Sequence, residues 1–144
     1  MTLMDTTFRA ILCAARTSRE LLEICLPGRR WHKVVIRTVG DSWFSANQVG
    51  GVDSELVISL NAVTMIHGGQ PVTDAETPRH ASIPLVAMLV QLERQHTDVV
   101  IYMKELSLRG RITRVGADWV GLRKSGAEHA LLPLSQFLWL EACG

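Results

Sequence analysis

The sequence predicts an α+β protein made of two small β-barrel units, the first one shortened, each preceded by an α-helix. Three observations predict it. Helical patterns alternate with strand-rich stretches, glycine-marked turns divide the strands, and the closing segments of the two stretches resemble each other. The expected organisation is a first helix and shortened β-unit over residues 1–67, a linker over 68–81, and a second helix and β-unit over 82–144.

The spacing predicts a helix over residues 5–26. Phe8, Ile11, Leu12, Ala15, Leu22 and Leu26 recur at three- and four-residue steps, which puts them on one face. Asp5 or Thr6 is the expected N-cap, Arg16–Glu20 and Arg19–Glu23 are paired charges one turn apart, and Pro27-Gly28 is the expected stop. Residues 31–66 switch to β-branched residues, with turns at Gly40-Asp41-Ser42 and Gly50-Gly51. Residues 67–81 carry glycines, prolines and mixed charge without a period, which reads as a linker. The second helix is expected from Ser82, with Pro84 in its first turn, where a missing N–H costs nothing. It is apolar almost all round through Val90, so it is expected between the β-units or in a dimer contact through Leu85, Met88, Leu89 and Leu92.

From Leu106 to Thr113 apolar and polar residues alternate. Leu106, Leu108, Gly110 and Ile112 are expected on a core face, with Ser107, Arg109, Arg111 and Thr113 opposite. Residues 56–66 align with residues 130–140 without gaps, pairing Leu60 with Leu134, Val63 with Phe137 and Ile66 with Leu140. Upstream, Val34–Ile36 and Val99–Ile101 form matching segments. Between them, Val115-Gly116-Ala117 pairs either with Val39-Gly40-Asp41 or, the preferred reading, with Val49-Gly50-Gly51. Five short, strongly bent strands with glycine turns suggest a small barrel of the SH3 or Sm kind, which hides its edges, and the first unit is the smaller of the two.

The second unit resembles a large group of actinobacterial proteins that carry two such units with a helical segment between them. The resemblance rests on Gly110, Ile112, Val115–Val120, Leu122 and Pro133-Leu134; it covers most of residues 99–140 and, more loosely, 31–66. Some of that group bear the label of Fis-type transcriptional regulators, although no helix-turn-helix pattern occurs in this chain. The pattern also resembles Sm-like RNA-binding barrels through Gly110, Ile112, Val115 and Asp118. It departs from them where Val120 or Leu122 stands at their asparagine and Pro133-Leu134 at their Arg-Gly.

Composition bounds the function. The 144 residues are 47% hydrophobic and 20% charged with a net charge of +1, which excludes a disordered chain and a globally basic nucleic-acid binder. Cys13, Cys25 and Cys143 have no metal spacing and read as inert thiols, and the start lacks a signal peptide, so a cytoplasmic protein off the membrane is expected. The five histidines have no ligand spacing, and no nucleophile turn or phosphate loop occurs. The expectation is therefore a non-enzyme without catalytic residues, metal, cofactor or small-molecule substrate.

Two local basic clusters remain. Arg29, Arg30, Lys33 and Arg37 form one. Arg109, Arg111, Arg114, Arg123 and Lys124 form the other, with Arg109 and Arg111 on one strand face where they can track phosphates. Trp119 and Trp139 read as core and Trp31 as exposed. The expected function is an interaction or scaffold module acting through protein contacts or oligomerisation, as a homo-oligomer or with a protein partner. The alternative is an RNA- or DNA-binding regulator using the arginine-rich face.

Overall fold

A computed structural model describes residues 7–28, 30–50, 54–70, 83–124 and 129–143. Residues 5–26 do not form one helix. Helix α1 runs Phe8–Ser18, and its N-cap is Thr7, whose hydroxyl accepts a hydrogen bond from the Ala10 N–H at 3.1 Å. Asp5 and Thr6 lie outside the described residues. The helix ends because Arg19 turns left-handed (φ 55°) and its N–H folds back on the Ala15 and Arg16 carbonyls. Leu21–Leu26 is then strand β1, with Leu22, Ile24 and Leu26 buried. Leu22 and Leu26 suit a helical stripe, but with Ile24 they also suit a period of two, and the left-handed Arg19 separates the two patterns. Glu20, expected to pair with Arg16, instead accepts from the Gly69 N–H at 3.0 Å.

The chain continues as β2 (Arg30–Val39), β3 (Trp43–Gln48), β4 (Glu55–Ser59), a 3-10 turn (Leu60–Ala62) and β5 (Met65–His67). After the linker, α2 (Leu85–Arg94) is followed by β6 (Asp98–Tyr102), β7 (Ser107–Val115), β8 (Trp119–Arg123) and β9 (His129–Pro133). A second 3-10 turn (Leu134–Gln136) then leads into β10 (Trp139–Cys143). Residues 71–81 of the linker and Ser82, the expected cap, lie outside the described residues; α2 begins at Leu85 with an extended Pro84 as its N-cap, so Pro84 precedes the first turn instead of standing in it.

The architecture overturns the expectation of two small barrels. The described strands form one antiparallel sheet in the order β5-β1-β2-β3-β4-β10-β6-β7-β8-β9, and it is not closed. The physical reason is strand β10. It pairs with β6 on one side and with β4 on the other, in the register Trp139↔Ile58, Leu140↔Val57, Glu141↔Leu56 and Ala142↔Glu55. The Ser59 N–H extends this seam by donating to the Leu138 carbonyl at 2.9 Å. Edge pairing between the halves thus takes the place of closure within each, and the sheet ends at β5 and β9.

The two halves share a pairing scheme. Ile24 sits opposite Ile66 on one side and His32 on the other, as Ile101 sits opposite Leu140 and Leu108. A bulge follows Ile36 in β2 and Ile112 in β7. Gly40 donates to the Trp43 carbonyl and Gly116 to the Trp119 carbonyl, each at 2.8 Å. Left-handed residues, Arg19 and His96, follow both helices. This scheme corrects two of the expected matches. Val115-Gly116-Ala117 corresponds to Val39-Gly40-Asp41, not to Val49-Gly50-Gly51. Val34–Ile36 lies in β2 but Val99–Ile101 in β6, so these segments occupy different places in the scheme.

Each half covers a different face of the sheet. The first core joins Leu12 and Ala15 of α1 to Leu22, Ile24, Leu26, Val34, Ile36, Phe44, Leu56 and Ile58; the second joins Leu89 and Leu92 of α2 to Val99, Ile101, Ile112, Val120, Leu122 and Leu140. The seam strands serve both. Trp139 of β10 enters the first core, whereas Val57 of β4 and Trp43 of β3 enter the second. Helix α2 packs on β7 of its own half, while its core also takes in Trp43 and Val57 of the first half. Leu89 and Leu92 are fully buried there, and Leu85 and Met88 pack partly buried against the same core. Leu106, expected on the core face, precedes β7 in the turn and is exposed.

Candidate functional site

Among the described residues, β5 and β9 each pair on one side only and form the two ends of the sheet. Val57 and Trp139 at the internal seam are 0% and 2% exposed. By the shared pairing scheme Leu131 of β9 occupies the place of Val57, and Met65 of β5 that of Trp139. Leu131 is 71% exposed and Met65 52%. Trp119, in the place of the buried Trp43, is half-buried at the same open end, which corrects its expected core position, whereas Trp139 is core as expected and Trp31 is exposed. Apolar side chains that the seam buries are thus left bare at both ends of the sheet. Natural sheets commonly guard such edges with charge. None of Met65, Ile66, His67 and Gly68, nor of His129, Ala130, Leu131 and Leu132, carries a lysine, arginine or carboxylate.

The second basic cluster converges on one groove of about 730 Å³ between the end of α2 and the outer face of β7 and β8. Arg109, Arg111, Arg123 and Lys124 line it together with Glu93, His96 and Asp98. Sequence alternation put Arg109 and Arg111 on one face, and the local clustering of charge added Arg123 and Lys124. Glu93 comes from the last turn of α2, left-handed His96 from the turn after it, and Asp98 from the start of β6. Arg111 Nε stands 3.4 Å from Asp98 Oδ1 with both side chains well exposed, a pair that contributes little. Arg114 follows the bulge, pairs with Gly121 and stands outside the groove lining.

The first basic cluster does not converge. Arg29 lies outside the described residues. The Arg30 guanidinium sits 5.1 Å from the centre of the Tyr102 ring and donates to its hydroxyl at 3.3 Å. Lys33 is exposed, and Arg37 pairs with Glu55 at 2.6 Å. Trp31 packs against His67, with ring centres 4.5 Å apart.

Tyr102 stacks on Trp139 with 3.8 Å between centroids, and His32 meets the edge of the same indole at 5.4 Å. Both ring nitrogens of His32 are buried without a hydrogen-bond partner. Burial holds its pKa below the ordinary value, only partly offset by the charge of Glu141. The imidazole belongs to the packing around Trp139. A second groove of about 700 Å³ runs across the seam, between Asn47, Gln48, Ser54 and Glu55 on one side and Leu92, Gln95 and Thr97 on the other. Among the described lining residues the one carboxylate, Glu55, is engaged by Arg37.

Among the described residues no group of three His, Cys, Asp or Glu side chains comes together to hold a metal. No helix among them is long and apolar enough to cross a membrane. Cys13 lies on α1 and Cys25 on β1, not on one helix as expected, and all three cysteines are free. No family model, curated protein or solved structure matches this chain.

Proposed function

We propose that this chain is a non-enzymatic interaction module, assembled from a doubled β-unit, that engages protein strands along the open edges of its sheet. The observation that carries this reading is Leu131. It stands 71% exposed on a free edge strand, while the residue in the same place at the internal seam is fully buried. Unpaired backbone groups and a bare apolar row are what strand addition uses: main-chain hydrogen bonds supply affinity and alternate side chains supply selectivity. The free cysteines support a cytoplasmic setting.

A labelled peptide spanning residues 137–142, the strand that already covers β4, is expected to bind the dilute protein saturably in fluorescence anisotropy. Leu131→Lys is expected to weaken binding at least about tenfold, since it places an ammonium group against apolar surface. A peptide that fails to bind, or binds Leu131→Lys equally well, overturns the reading.

A second reading is favoured by the basic groove, where four cations face two carboxylates. On that reading the module also binds RNA or DNA through phosphate contacts. Affinity for single-stranded oligonucleotides should then fall steeply with salt. Removing Arg109 and Arg111 together should weaken binding and flatten the log–log salt slope by about one per lost phosphate contact. Binding that ignores these substitutions removes the groove from consideration.

A further inference from the structure

We infer that the partner for each open edge is a second copy of this chain, with β9 of one copy adding to β5 of the next, head to tail. The inference rests on the edge-pairing reading above and names its occupant. The seam inside the chain is the template for this contact. That seam joins one strand of the β4 kind to one of the β10 kind, and the pairing scheme leaves one counterpart of each at opposite ends of the sheet. Transferring its register pairs Met65 with Leu132, Ile66 with Leu131, His67 with Ala130 and Gly68 with His129.

The side chains suit this transfer. At the internal seam, Val57 of β4 reaches the core beyond β10, and Trp139 of β10 reaches the core beyond β4. Leu131 and Met65 would make the same exchange between copies, each covering apolar surface that is now open to solvent. No like charges meet in the transferred register. The contact uses two different surfaces, so each added copy presents a fresh edge. Growth stops only when the array closes into a ring.

Sedimentation velocity on the full chain and on two edge variants tests this. Wild type is expected to form species larger than a dimer as concentration rises. Met65→Lys and Leu131→Lys, both at exposed positions, should each be monomeric alone. Mixed in equal amounts they should form a dimer and nothing larger, because each supplies the one intact edge the other lacks. A Met65→Lys sample that still dimerises alone would show β9 pairing with itself and overturn the head-to-tail assignment. A Leu131→Lys sample that does so would show the same for β5.

Wild type that stays monomeric at every concentration overturns self-assembly, and peptide binding at the edge then still decides the broader reading. Should either lysine variant unfold, oxidation of mixed His67→Cys and Ala130→Cys chains gives the same answer. A cross-linked pair that appears only in the mixture supports the register, and its absence overturns it.

Discussion

Trp139→Ala is expected to lower the stability of the whole chain by about 3–5 kcal/mol, the usual cost of truncating a buried tryptophan. The reason lies in where the indole goes. Trp139 belongs to β10, whose main-chain partner in its own half is β6, yet its side chain fills the first core. There it stacks on Tyr102 and receives the edge of His32. Truncation opens a cavity in one half, removes a stacking contact supplied by the other, and strips apolar cover from the seam. Since a domain is typically stable by about 5–15 kcal/mol, the loss is a large fraction of the total. Urea unfolding followed by far-UV circular dichroism measures it. Trp119→Ala, at the half-exposed position, is expected to cost much less. Equal losses at the two sites would contradict the account of Trp139 as the side chain that joins the halves.

Gly40→Ala is expected to destabilise by about 2–3 kcal/mol, near the upper end for overpacking. A β-carbon at residue 40 would run into the indole ring of Trp43. That ring cannot retreat: it is buried in the second core, and its Nε1 donates to the Ile83 carbonyl at 2.8 Å. Gly116 stands in the same relation to Trp119, and a β-carbon there meets the same ring atoms. Trp119, however, is half-buried at the open end of the sheet and belongs to neither buried core. Gly116→Ala is therefore expected to cost under about 1 kcal/mol, within the range of an exposed-site change. Thermal melts of the two variants side by side check the contrast. Matching shifts would mean that the local glycine–tryptophan turn, rather than the packing around the indole, sets the cost.

The two positions also illustrate what was legible in the sequence. The turns at Gly40 and Gly116 announce themselves by composition, and the strands around them by β-branched residues. The alternation from Ser107 to Thr113 correctly put Arg109 and Arg111 on one outward face. Local patterns carried that information. Choices between two local patterns were less secure. Leu22 and Leu26 satisfy a helix as well as a strand, and the break at Arg19 has no distinctive residue type, because arginine is unusual in a left-handed turn.

The non-local decision was hidden altogether. Whether β10 closes its own half or also pairs with β4 depends on the fit of Leu140 against Val57 across the sheet, and an apolar strand looks the same in either case. The free edges could be recognised only once that pairing was known. Leu131 looks like any core leucine until its place in the scheme is compared with Val57. The groove was half legible for a related reason. Its arginines lie on neighbouring strands, while Glu93, His96 and Asp98 reach it from α2, the turn after it and the start of β6.

One main-chain detail at the end of β9 bears on how tightly copies would hold each other. Ser59 sends its N–H across the internal seam to Leu138, and the residue in its place on β9 is Pro133, which has no N–H to send. Within the chain, covalent tethering keeps the two halves at a high effective concentration, so that seam need not be strong to stay shut. A contact between copies lacks both the tether and that hydrogen bond. On the head-to-tail proposal such a contact would dissociate more readily than the internal seam opens, and the protein's own abundance would set how long its arrays grow.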